Sequence, residues 1–113
     1  MKWTIYHNPR CQKSRQTLNL LEEKGIHPQI IEYLSEPFTE AGLKAVLKKL
    51  DLKPSGLLRK KEEKVKKLKL DLTDENAVLL AMVKHPELVE RPIVVRDEKA
   101  ILGRPPENVL SLL

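Results

Sequence analysis

One cysteine stands in this chain, Cys11, within Ile5-Tyr6-His7-Asn8-Pro9-Arg10-Cys11-Gln12-Lys13-Ser14-Arg15. A short apolar run precedes it and a helical pattern follows, which sets the thiol where a strand hands over to a helix. The unbonded N–H groups and positive dipole end of a helix favour an anion, and a thiolate is such an anion. Helix N-termini and nearby cations lower a cysteine pKa from about 8.5 into the range of about 3.5–7.5. His7, Arg10, Lys13 and Arg15 all lie within four residues of Cys11. These residue types predict nucleophilic chemistry by a thiolate. Ser14 shares a helix face with Cys11 and is a candidate hydrogen-bond partner for its sulfur. His7 has two readings: a group that lowers the thiol pKa or binds an anion, or a structural hydrogen-bonding residue at the strand end.

The single cysteine leaves no internal disulfide, no Cys-x-x-Cys pair and no cysteine-rich zinc site. If Cys11 is redox-active, its resolving thiol comes from another molecule. His27 and His85 read as loop and helix-end residues, and no metal-ligand spacing appears, so no metal site is expected.

At 113 residues the chain fits one domain, residues 1–113, large enough for its own core. Its 41% hydrophobic and 33% charged content fits a globular chain and argues against a disordered one. Apolar runs are far shorter than the ~20 residues that cross a bilayer, so no membrane association is expected. Met1-Lys2-Trp3-Thr4-Ile5-Tyr6 enters a strand pattern without a signal-peptide core, and a cytoplasmic location is the expectation. The net charge is +5, and much of the excess lies in Arg59-Lys60-Lys61-Glu62-Glu63-Lys64-Val65-Lys66-Lys67-Leu68-Lys69. Glutamates interrupt that run and aromatics are missing from it, so it reads as a solvated helix face and not as a nucleic-acid surface. Arg59, at its start, is a candidate ligand for a small anion.

The elements that must position these groups follow from periodicity. Residues 3–7 alternate as a strand, and Pro9 breaks the pattern. Residues 11–24 form an amphipathic helix stopped by Gly25, and residues 29–33 form a second strand. A strand–helix–strand unit with this crossover is parallel and right-handed. Thr39 caps a helix with Leu43, Val46, Leu47 and Leu50 on its apolar face. Pro54-Ser55-Gly56 opens a short turn or helix, and Thr73-Asp74-Glu75 starts a helix running through Ala77, Leu80, Ala81 and Lys84. Residues 91–96 form a third strand, Asp97-Glu98 a turn and residues 99–102 a fourth strand. A last helix starts at Pro105 or Pro106. The predicted fold class is α/β, with a mixed four-stranded sheet in the order β-α-β, helical insertion, β-β-α, and helices packed on it. That is a thioredoxin-like architecture, in which a proline heading the third strand faces the cysteine, often in cis; Pro92 is placed for that role.

Tyr6-His7-Asn8-Pro9, Cys11, Ser14-Arg15, Thr17-Leu18, Tyr33-Leu34, Leu57-Leu58-Arg59-Lys60, His85-Pro86, Arg91-Pro92-Ile93-Val94-Val95 and Arg104-Pro105 occur in order along nearly the whole chain. With them the sequence resembles the ArsC family, the glutaredoxin-linked arsenate reductases of thioredoxin-like fold. The resemblance implies that Cys11 attacks arsenate or a similar oxyanion. Glutathione is then the co-substrate, glutaredoxin resolves the mixed species, and no cofactor is bound. By the same resemblance Arg59, Arg91 and Arg104 bind the oxyanion, a task that suits the guanidinium fork. A monomer is expected. The chain departs from the common Ala-Cys-Gly-Thr form with Arg10-Cys11-Gln12-Lys13, which changes the rim that meets the electron donor. Two alternatives stand beside the reductase: a related thiol-dependent oxidoreductase acting on another substrate, and a regulatory binding protein like Spx. The Spx proteins typically carry a Cys-x-x-Cys switch, where this chain has Ser14.

Overall fold

The computed structural model describes residues 2–113, which fall into two compact units. One is built from the chain up to Glu36 and from Arg91 onward, and the other from Pro37–Glu90.

The first unit holds the sheet. Its strands are β1 (Trp3–Tyr6), β2 (Gln29–Ile31), β3 (Ile93–Arg96) and β4 (Lys99–Leu102), in the spatial order β2-β1-β3-β4. β1 runs parallel to β2, with Ile5 opposite Ile30, and antiparallel to β3, with Ile5 opposite Val94. β3 and β4 form the antiparallel hairpin, turned at Asp97 with φ 53°. The fold is thus the thioredoxin-like mixed sheet expected from the sequence. The first helix, α1 (Gln12–Glu23), packs on the sheet beside the C-terminal 3-10 segment Pro106–Leu112. Ile5, Leu21, Val94, Val109 and Leu112 form the core between them, with Trp3, Leu18, Leu20, Ile26 and Ile101 packed against it. Burying one such side chain contributes about 1.5–3 kcal/mol.

α1 ends in a Schellman motif. Gly25 takes φ +77°, its N–H reaches the Glu22 carbonyl, and the Ile26 N–H reaches the Leu21 carbonyl. The last segment is a 3-10 helix where an unspecified helix was expected. Its buried residues Pro106, Val109 and Leu112 recur every third position, the repeat of a three-residue turn.

The second unit is helical: α2 (Glu40–Leu50), α3 (Pro54–Leu57), α4 (Glu63–Lys67), α5 (Glu75–Lys84) and a 3-10 turn at Pro86–Leu88. Thr39 caps α2 by accepting from the Gly42 N–H at 3.0 Å, and Asp74 caps α5 through the Ala77 N–H at 3.1 Å. Glu75 ties α5 to α3, taking the N–H and hydroxyl of Ser55, each at 2.8 Å. Leu43, Val46 and Leu47 are buried, while Leu50 is half-buried. On α5 the buried residues are Val78, Leu79 and Met82, whereas Leu80 is 45% exposed. In the basic run, α4 spans only five residues, and Val65 is its one buried side chain. Among the described residues no helix is long and apolar enough to cross a membrane.

Candidate active site

β1 delivers the chain to His7, and Pro9 ends the strand before α1 begins. Cys11 is the N-cap of α1 with extended backbone (φ −93°, ψ 122°), and no side chain caps that helix. Asn8 shapes the connection: its carbonyl accepts the Cys11 N–H at 3.0 Å and its side-chain oxygen accepts the Arg10 N–H at 3.0 Å. The first-turn N–H groups are therefore left to the sulfur.

Burial pushes the Cys11 thiol up. The Ser14 N–H, the Arg91 guanidinium and the Lys13 N–H hydrogen-bond to the sulfur and, with the Arg91 charge, bring it below the ordinary thiol range. The side chain is half-buried, so the sulfur is reachable. Ser14 acts here through its backbone. Its buried hydroxyl turns away to His7 Nδ1 at 2.6 Å and accepts the Asn8 N–H at 3.0 Å. His7 is buried too, and its N–H donates to the Ile31 carbonyl at 2.8 Å. Burial lowers its pKa, Glu32 opposes that and Arg15 adds to it. A histidine held below its usual value is neutral at pH 7, so His7 brings hydrogen bonding and not charge to the site. Arg15, one of the cations near Cys11 in sequence, donates to the Pro9 carbonyl at 2.8 Å.

Arg91 comes from the other end of the unit, immediately before β3. Its bond to Pro92 is cis, as is Arg104–Pro105. Burial lowers the Arg91 pKa, but the Cys11 sulfur and the Tyr33 phenol more than offset this and hold the guanidinium firmly charged. Its Nε is buried with no hydrogen-bond partner among the described residues. Arg104 is exposed, and its Nη1 lies 3.4 Å from the Arg91 carbonyl. Gly103 brings this corner close to α1. Its N–H donates to the Pro92 carbonyl at 2.9 Å, and a Cβ there would lie 2.6 Å from Thr17 Oγ1 and 2.9 Å from Pro92 Cγ. The first unit thus assembles Cys11, His7, Ser14, Arg91, Pro92 and Arg104. Arg59 belongs to the second unit, where it pairs with Glu62 at 3.2 Å. No cluster of three metal-ligating side chains occurs among the described residues.

Sequence reasoning assigned no role to Tyr33, which is 1% exposed and whose phenol favours the charged form of Arg91. The available signal was a tyrosine just after a strand that pairs with β1. Asn8 and Thr17 are also buried near the helix start, and each is a polar residue flanking the cysteine segment.

The order of this mixed sheet, with α1 packed on it and Arg91–Pro92 in cis at the head of β3, defines a member of the thioredoxin-like class. Over residues 6–112 the sequence matches the model of the ArsC family, and the chain belongs to that family. It is 49% identical to the uncharacterized Escherichia coli (strain K12) protein YfgD, over 96% of this chain and 94% of that one. It is 46% identical to an arsenate reductase of Neisseria meningitidis (strain Z2491), over 96% of each chain. The solved arsenate reductase of Vibrio cholerae superposes with a TM-score of 0.94 at 47% identity, over 100% of this chain and 98% of that one.

Proposed function

We propose that the protein is an arsenate reductase that works through a Cys11 thiolate and draws its reducing equivalents from glutathione and glutaredoxin. The observation that carries this reading is the Arg91 guanidinium on the Cys11 sulfur, with a buried Nε–H left without a partner among the described residues. An unmet buried donor costs about 1–3 kcal/mol, and an oxyanion oxygen at the sulfur relieves that cost.

In the first step the thiolate attacks arsenic(V), an S–As bond forms, and an arsenate oxygen leaves as water after protonation. Arg91 and Arg104, from the two ends of the β3–β4 hairpin, bind the oxyanion, with the Lys13 and Ser14 N–H groups at the helix start. His7 and Ser14 support the nucleophile by fixing the first turn of α1, and Pro92 shapes the wall beside it. Overall, arsenate and two thiols give arsenite, one disulfide and water, and arsenic gains two electrons. Two thiols are consumed and the chain holds one, so glutathione attacks next and glutaredoxin resolves what remains. The names of the Neisseria and Vibrio relatives favour arsenate as the substrate.

The test is NADPH consumption with arsenate, glutathione, glutathione reductase and glutaredoxin, comparing wild type with Cys11→Ser. Arsenate-dependent turnover that vanishes in the variant is the expected result. Turnover with thioredoxin and its reductase alone would keep the reductase and replace the donor. No turnover with any donor would overturn the reading in favour of a related thiol oxidoreductase.

A further inference from the structure

Thr17 is wholly buried on α1, and the proposed chemistry gives its hydroxyl no task. An apolar side chain fills such a position without polar atoms, whereas a buried hydroxyl must find an acceptor. The Thr17 hydroxyl has two within reach. It lies 2.8 Å from the Lys13 carbonyl, one turn back on α1, and 3.3 Å from the Gly103 carbonyl, 86 residues away in sequence. The first is a bond that any helical threonine can make. The second leaves the helix, and one hydrogen shared between two carbonyls makes a three-centre bond.

Gly103 immediately precedes Arg104, and this corner fits closely against α1. The Gly103 N–H donates to the Pro92 carbonyl at 2.9 Å, and a Cβ on Gly103 would lie 2.6 Å from Thr17 Oγ1 and 2.9 Å from Thr17 Cγ2. On the far side of Arg104, the Asn108 side-chain amide donates to the Arg104 carbonyl at 3.1 Å, and the Asn108 N–H donates to the Pro105 carbonyl at 3.0 Å. Asn108 thus holds the corner from within its own C-terminal segment. Thr17 holds it from α1, the helix that starts at the sulfur. α1 stands outside the strand ladder, so pairing within the sheet does not set its offset from the end of β4. A guanidinium bonds an oxyanion well only at the right distance and angle from the other donors.

We propose that Thr17 is the positioning residue for Arg104: its hydroxyl, bonded at once to the Lys13 and Gly103 carbonyls, fixes the distance between the helix start that carries Cys11 and the arginine that meets the oxyanion. The inference rests on the reading of Cys11 and Arg104 as an oxyanion site, and adds the residue that sets the width of that site.

The test is a mutant cycle of Thr17→Val, Arg104→Gln and the double variant, with Thr17→Ser as the rescue. Valine keeps the branched shape without the hydroxyl, and serine keeps the hydroxyl without the methyl. One readout is the concentration of inorganic phosphate, a tetrahedral oxyanion, that halves iodoacetamide labelling of Cys11. The other is KM and kcat for arsenate. Thr17→Val is expected to raise the half-protecting phosphate concentration and the KM about fivefold, the factor for one net hydrogen bond. Thr17→Ser stays near wild type, and in the Arg104→Gln background valine adds nothing. The pH of half-labelling without phosphate does not move, because the helix backbone still holds the first turn around the sulfur. An equal rise in both backgrounds, no rise, a rise shared by serine or a moved labelling pH overturns the proposal. Arsenate turnover with one KM across the Thr17 variants would leave the reductase and remove this role. Coupled phosphate protection with no arsenate turnover would support the role and remove the reductase reading. Neither protection nor turnover in wild type would overturn both.

Discussion

Against the effect of burial, the Cys11 thiol is brought below the ordinary thiol range by the Ser14 and Lys13 N–H groups, which a helix start provides, and by the Arg91 guanidinium, which sequence proximity does not reveal. The nearby cations Arg10, Lys13 and Arg15 suggest a local field. The charge that acts on the sulfur comes from Arg91, and Lys13 contributes its N–H. Iodoacetamide labelling should therefore reach half its maximum below the free-thiol value of about 8.5, and Arg91→Gln should move it upward. A profile unchanged by that substitution would sink the assignment. His7 makes a prediction of opposite chemistry. Its folded pKa lies below its unfolded value of about 6.5, so the unfolded chain binds the proton more readily. Stability falls as pH drops below about 6.5 and levels off beneath the folded pKa, where both states are protonated. Melting temperatures of wild type and His7→Gln between pH 7 and 5 test this, the wild type losing more.

At the scale of elements, two glycines separate stability from site geometry. Gly25 serves the Schellman end of α1, has open space around its Cα and lies away from the sulfur's turn. Gly25→Ala should cost about 1 kcal/mol through its left-handed backbone and leave thiol labelling unchanged. Gly103→Ala drives a methyl into Thr17 and Pro92. It should cost about 1–3 kcal/mol and slow arsenate turnover as well, because α1, β4 and the Arg91–Pro92 corner must part. Urea unfolding alongside the coupled assay distinguishes the two. The cap at Thr39, the helix start at Thr73-Asp74-Glu75 and the stop at Gly25 were legible because each rests on a characteristic residue type at a helix end. The inward face of α5 was not: Ala77-Val78-Leu79-Leu80-Ala81-Met82-Val83 is apolar throughout, so no stripe in the sequence chooses Val78, Leu79 and Met82 over Leu80.

Across the whole molecule, the placement of Cys11 at a helix start was readable because Pro9 marks the break and the patterns on either side differ in period. The sheet order was readable because a crossover helix and a tight hairpin each permit one direction of pairing. The burial of Tyr33 was not, since it depends on how the segment after β2 folds back beside the sheet. The chain's one thiol also fixes a stoichiometry. Oxidised glutathione should add one glutathione per chain by intact mass, and none to Cys11→Ser. A second adduct, or one surviving the substitution, would contradict it.

The half-exposed sulfur at the head of α1 also determines how this protein ages in air. With a single thiol per chain, any disulfide between two copies must join their two Cys11 sulfurs. Such a pair is inert by construction, each molecule serving as the other's plug. Dithiothreitol should separate the pair and restore its turnover, which makes the part of any oxidative loss that runs through this disulfide a reversible shelving.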